Sequence, residues 1–411
     1  MVSAQASSNS RRGQWGCLVG IWCLSFFANA ALLFPASIIP RMMTDLTVGP
    51  ATVVWVVSVA YATYAASNVL VGVIIDWTSD VTVAVGATFL LVGAGIWGWT
   101  AARRGDFTSL LASRAVSGVV IGAIWTTGAN LVGRTFPSDQ QGISLGLFTA
   151  SAPAGLAAGQ FFGPVLANQW GWPADFAIFS LLNVPGLAVF LLGYRRAVFQ
   201  GRSGSSPQLR ELGTVLTHRS VLYGCTMGFI AYSLFLFFNS WMPTYLSNHI
   251  GLSVAKSGIF TALFPAMGLV SRAGGGIISD RLLDGRRLPV IRLSFVVSFP
   301  IVVVIGFVHI VLPLLVLLLI AGFAVQLSIG IFYSYVRDAV AENVSGTALA
   351  LLTSASLTGA FLSPVIAGVL IERTDSFTTA FAYMILLSAF GLVLAWNAPE
   401  STAVGSTLRE S

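Results

Sequence analysis

The chain has 411 residues, of which 56% are hydrophobic and only 9% charged. Soluble domains carry roughly 25% charged residues, so a water-soluble fold is excluded. With it goes the reading of the net charge of +6 as a nucleic-acid footprint. The basic residues belong to the loops between apolar runs, where they set orientation.

Twelve apolar runs follow one another, each long enough to cross about 30 Å of hydrocarbon. The first six are Trp15–Ile39, Val53–Ile75, Val81–Ala102, Leu110–Gly133, Ile143–Ala167 and Trp172–Tyr194. The last six are Val221–Met242, Lys256–Ile278, Ile291–Ile310, Leu314–Val336, Gly346–Ile371 and Phe377–Trp396. Backbone groups in lipid must be satisfied internally, so helices are the default. The expected fold class is an all-α membrane protein of twelve transmembrane helices. Arg11 and Arg12 precede a first run too long for a signal h-region, with no small-residue cleavage site, so this start reads as a span and not a leader.

The longest connection, Arg195 to Ser220, is rich in Arg, Gly and Ser and divides the chain near its middle. The expected domains are therefore residues 1–194, a cytoplasmic linker 195–220, and residues 221–411. Placing the N-terminus in the cytoplasm puts fourteen of the 21 basic residues inside. Five lie outside (Arg41, Arg103, Arg104, Lys256 and Arg373), and Arg114 and Arg272 fall within spans. This bias predicts a multi-pass protein of the plasma membrane with both termini cytoplasmic.

Cys17, Cys23 and Cys225 sit in apolar runs without metal-ligand spacing, and His218, His249 and His309 lie near loops. There is no HExxH and no carboxylate in the middle of a span. An enzyme is not expected, nor a metal or cofactor. The expected partners are the bilayer and a small-molecule or ion substrate, not nucleic acid, and the protein reads as a monomer.

The chain repeats itself. Asn68, Gly72 and Asp76 at the end of the second run match Arg272, Gly276 and Asp280 at the end of the eighth, 204 residues later. Gly142 and Gly346 follow the fourth and tenth runs at the same offset. Arg134 and Arg337 open those two loops, and Phe162-Gly163-Pro164 is echoed by Leu362-Ser363-Pro364. Six helices repeated in parallel describe two pseudo-symmetric bundles related by an axis along the membrane normal.

These features together resemble the major facilitator superfamily over essentially the full length. The loop after the eighth run, Gly276-Ile-Ile-Ser-Asp280-Arg281-Leu-Leu-Asp-Gly285-Arg286-Arg287, looks like its G-x-x-x-D-R-x-x-x-G-R-R signature. The first-half copy keeps Gly72 and Asp76 and loses the basic residues. Arg114 with Gly118 and Gly122 is similar to the family's fourth-helix motif. The resemblance implies a secondary transporter working by alternating access. In it Asp280 accepts from a neighbouring helix N-terminus, and Arg281 offers a fork to a carboxylate or to helix-end carbonyls. Together they latch the cytoplasmic helix ends. Two such halves favour a carrier over a channel.

Gly155, Gly159 and Gly163 recur every four residues, as do Gly118 and Gly122, a spacing that lets helices pack closely. Gly159-Gln160-Phe161-Phe162-Gly163-Pro164 also resembles part of a drug-antiporter motif, but Ala167-Asn168 stands where a Gly pair is expected. Efflux of an apolar or cationic compound is therefore the second reading.

Arg272 carries the first. It lies eight residues, or about 12 Å, before Asp280 and sixteen residues, or about 24 Å, after Lys256. An Arg this deep costs roughly 2.5–3.5 kcal/mol on insertion scales and should face a cavity or a partner. The nitrate/nitrite porters of the superfamily resemble this pattern, with an Arg in both the second and eighth helices clamping a planar monoanion. Here Asn68 replaces the second-helix Arg, while carboxylate carriers also place an Arg in the eighth helix. A small anion such as nitrate, nitrite or a carboxylate is thus the expected substrate. Candidate lining residues are Arg272, Asn68, Asn29, Tyr64, Gln160 and Gln326, with Gln326 at the level of Gly122 in the repeat. Arg114, about 6 Å past Leu110, reads as a residue that snorkels or bonds to loop carbonyls.

Overall fold

A computed structural model describes residues 2–195 and 212–400. In the first half of the sequence the helices are α1 (Val2–Ser37), α2 (Ile39–Leu46), α3 (Pro50–Val53), α4 (Trp55–Trp77), α5 (Asp80–Arg104), α6 (Phe107–Thr135), α7 (Ser138–Trp170), α8 (Trp172–Leu181) and α9 (Asn183–Tyr194). Then come α10 (Leu212–Thr217), α11 (Arg219–Asn248), α12 (Val254–Thr261), α13 (Leu263–Ala266) and α14 (Gly268–Ile277), which runs into a π-helical turn at Ile278–Leu282. The last are α15 (Leu288–Ile305), α16 (Val311–Asp338), α17 (Glu342–Thr374) and α18 (Phe377–Asn397).

Eleven stretches among the described residues are long and apolar enough to cross a bilayer. The 33-residue α7 completes the set of twelve. The second span is α3 with α4, the sixth α8 with α9, and the eighth α12 to α14 with the π turn. Helix ends overrun the apolar runs because polar caps start and stop them. Ser79 accepts from the Thr82 N–H to open α5, and Asp106 accepts from the Ser109 N–H to open α6. Gly105, with φ +69°, closes α5 behind Arg103 and Arg104, cations that suit the negative end of a helix. Large side chains such as Phe89, Phe307 and Leu386 point outward, as they do where lipid replaces water.

The residues sort into two compact units. One comprises Met1–Val48, Trp55–Ser203 and Ser253–Ala262; the other comprises Gly49–Val54, Gly204–Leu252 and Leu263–Ser411. In the first, α1 packs along α7 and α9, and α6 along α4 and α5. In the second, α11 packs along α17, and α16 along α14 and α15. Each unit has thus taken in the first turns of one span from the opposite half of the sequence. Gly49 and Ser253, which open those two segments, are 204 residues apart. The α3 turn is held in the second unit by Glu372 of α17, which accepts the Ala51 N–H at 2.8 Å. In the first unit Gly258 of α12 meets Pro164 and the Gln160 carbonyl of α7.

The glycine rows are packing surfaces. A Cβ on Gly118 would lie 2.1 Å from the Ala60 carbonyl oxygen, and one on Gly155 2.2 Å from that of Phe26. These rows bring α6 against α4 and α7 against α1 at a distance no other residue permits.

Candidate functional site

Pro265 sets the local structure around Arg272. Lacking an N–H, it interrupts the eighth span, which breaks at Ala262 and again at Met267. The carbonyls of Phe264 and Pro265 at this break are collected by one side chain. Gln326 on α16, fully buried, donates from Nε2 to the Phe264 oxygen at 2.8 Å, the Gly322 oxygen at 3.2 Å and the Pro265 oxygen at 3.4 Å. Its amide orientation is thereby settled, and Oε1 accepts from Arg272 Nη2 at 3.2 Å. The guanidinium also lies 5.8 Å over the Phe235 ring of α11. Gly275 and Gly322 make this possible, since a Cβ on either would sit 2.6 Å from a backbone oxygen of the facing helix. Arg272 is therefore a half-buried cation, aimed by an amide that is itself fixed to main chain.

Arg114 has a different environment. Two turns into α6 and 2% exposed, it neither snorkels nor meets loop carbonyls. Nε donates to the Val56 oxygen at 3.0 Å, Nη1 to that of Ala31 at 3.0 Å and Nη2 to that of Leu32 at 2.7 Å. The helical donor for the Ala31 oxygen would be residue 35, which is Pro35 and has no N–H. Arg114 fills that vacancy and ties α6 to α1 and α4.

At the opposite end of the spans the loop motif uses a different arginine from the one expected. Arg281 and Arg286 are exposed. Arg287 pairs with Asp280, donates from Nε to Asp338 Oδ2 at 3.1 Å, and donates to Ser279 Oγ at 2.9 Å. Asp280 thus meets a side-chain cation, not a helix N-terminus. Burial opposes the Arg287 charge, but the bonds to Asp280 and Asp338 outweigh it and hold the guanidinium above its ordinary range. Gly285, at φ +78°, turns the chain so that its N–H reaches the Ser279 oxygen at 2.8 Å, while Gly276 faces open space. In the first unit Arg134 at the end of α6 pairs with buried Asp80 at the start of α5. At the 204-residue offset Arg134 corresponds to Asp338, so the two units clasp equivalent helix ends with opposite charge order.

The remaining candidates scatter. Asn29 is buried and its amide donates to the Ser25 oxygen of its own helix at 2.8 Å. Gln160 is fully buried in α7, and the Tyr64 ring lies against Gly122. Asn68, Gly72 and Asp76 lie on α4, but their side chains fall outside the described residues. Asp175, not singled out in the sequence, sits in the first turn of α8 with 0% exposure. Neither of its carboxylate oxygens has a hydrogen-bond partner among the described residues. Among the described residues no three His, Cys, Asp or Glu side chains gather as a metal site.

The family model described as "Major Facilitator Superfamily" matches residues 21–356. The chain belongs to the major facilitator superfamily. It is a multi-pass membrane transporter and not an enzyme, with twelve transmembrane helices in two six-helix bundles. The hexuronate transporter of Bacillus subtilis is 24% identical over 384 residues, 87% of each chain. The probable nitrate transporter NarT of Staphylococcus aureus is 25% identical over 273 residues, 66% of this chain and 67% of that one. Among solved structures, a bacterial homolog of the human lysosomal transporter Spinster, in an inward-facing and occupied conformation, superposes with a TM-score of 0.75 at 14% identity. The match covers 93% of this chain and 96% of that one and shows the fold.

Proposed function

We propose that this superfamily member carries a small anion, a carboxylate or a planar oxyanion, by alternating access, with Arg272 as its binding cation. The observation that carries this reading is the aim of Arg272. A guanidinium held within a span by Gln326 offers a fork whose geometry is set before the ligand arrives. The names of two relatives, a hexuronate transporter and a probable nitrate transporter, support the anion class, since both ligands are anions with planar oxygen groups. Gly159 and Gly163 of the antiporter-like stretch pack against Ala30 and Ser37 of α1, a packing role that serves either substrate class, so the anion reading rests on Arg272. The test is uptake of labelled nitrate, nitrite, hexuronates and short carboxylates into proteoliposomes. Saturable uptake of at least one, with counterflow, is expected. Transport of cations alone would overturn the proposal.

The loop clasp acts as a gate in this reading. Asp280→Asn and Arg287→Gln are expected to slow transport severalfold with little change in apparent affinity, because the clasp holds helix ends and does not touch the ligand. Their double variant should be no slower than the worse single one, since both remove the same contact. Unchanged velocity in all three would exclude the gate. The orientation follows from the basic-loop bias: cysteines placed at Ser205 and Ser406 should resist an impermeant reagent applied to intact cells, and labelling of either from outside would refute it.

A further inference from the structure

The first unit carries a cavity of about 450 Å³ whose lining does not include Arg114. It is lined by Trp99 and Arg103 of α5, Trp170 at the end of α7, and Pro173, Ala174 and Ile178 of α8. Its origin is local. Gly95 and Gly98 let α5 press against Ser180 and Phe176 of α8. One turn further the glycines give way to Trp99 and Arg103, while Gly171, at φ +79°, turns the chain between α7 and α8. The helices separate there and leave a notch.

The chemistry of the notch is cationic and aromatic. The Arg103 guanidinium lies 5.7 Å over the Trp99 ring, is exposed, and makes no ion pair among the described residues. The acid nearest in sequence, Asp106, is engaged as the cap of α6. Asp175 lies on α8 but is fully buried. Trp170 is 61% exposed. The notch also has a definite depth, because Arg103 and Arg104 occupy the last turn of their span, where headgroups replace acyl chains. Its apolar floor continues at helical spacing into exposed Ile96 on α5 and Leu181 on α8.

We propose that this notch binds an anionic phospholipid. The phosphate sits on Arg103 between the two indoles, and an acyl chain follows Ala174 and Ile178 along the lipid-facing surface. A water-soluble anion has no use for the apolar floor, and a zwitterionic lipid satisfies the cation less well, because its own ammonium competes.

The test uses the full-length protein in nanodiscs of equal parts phosphatidylglycerol and phosphatidylcholine, with retained lipid counted by native mass spectrometry. The wild type should retain phosphatidylglycerol in preference to phosphatidylcholine. Arg103→Gln should lower that preference about fivefold, as expected for one cation near the surface. Trp170→Ala should lower retention, whereas Arg104→Gln, outside the notch, should leave the preference intact. Equal retention of both lipids by the wild type would overturn the proposal. So would an unchanged preference in Arg103→Gln, or an equal loss in Arg104→Gln, which would indicate diffuse attraction. Displacement of the lipid by inorganic phosphate would assign the notch to a free anion. All three variants change exposed residues only and should melt like the wild type.

Discussion

Arg272→Gln is expected to lose at least about thirtyfold in anion transport while the protein still inserts and melts normally. The size follows from removing one member of a desolvated, hydrogen-bonded charge pair, which costs about 2–5 kcal/mol. Gln keeps much of the side-chain volume and a donor for Gln326, so the loss isolates the charge. Arg272→Lys keeps the charge and loses the fork. It should bind an anion more weakly and discriminate less between planar and tetrahedral anions. Gln326→Leu should move transport in the same direction by a smaller factor, because it leaves the cation in place but frees its orientation and removes a donor from the Phe264 carbonyl. Asn68→Arg would supply the second cation of the nitrate porters, and tighter nitrate binding in that variant would argue for a planar monoanion. Normal transport of the native substrate by Arg272→Gln, or a cationic native substrate, would end the proposal.

Much of the fold was readable because bilayer thickness fixes span length. All twelve runs reappear as helices, and Trp172–Tyr194 coincides with its span. The ends moved where caps such as Ser79, Asp106 and Ser253 extend a helix past its apolar residues. The repeat was readable too, since Gly and Asp at equal offsets survive in sequence. The partners of charged residues were harder to read. Three arginines follow Asp280, and only folding selects Arg287, because its partner Asp338 comes from a helix more than fifty residues on. Asp175 lies only three residues into the run Trp172–Tyr194, where position alone does not announce burial, yet its exposure is 0%. Pro265 within the eighth span marks a break in the helix, and Gln326 is the side chain that bonds the Phe264 and Pro265 carbonyls beside it. Pro35 in α1 leaves the Ala31 carbonyl without a helical donor, and Arg114 is the side chain that bonds it.

Arg114 should accordingly behave as a structural pin and not as a binding cation. Its three bonds go to main-chain oxygens, and one of these has no helical donor because of Pro35. Arg114→Leu leaves those oxygens in an apolar interior and is expected to destabilise the first unit by about 3–5 kcal/mol, in the range for breaking a buried charged arrangement. The measurement is the folded fraction after detergent extraction together with the thermal midpoint. Arg114→Lys should recover part of the loss, since an ammonium donates to these oxygens without spanning all three. The decisive variant is Pro35→Ala combined with Arg114→Leu. The substituted alanine brings back an N–H that can rejoin the helical bond to the Ala31 oxygen, so the double variant should be more stable than Arg114→Leu alone. A merely electrostatic role for Arg114 predicts no such rescue. If Arg114→Leu melts like the wild type, or if Pro35→Ala fails to rescue it, the pin is wrong. If the folded Arg114→Lys protein then shows a large loss of anion affinity at an unchanged melting point, Arg114 belongs with Arg272 in binding.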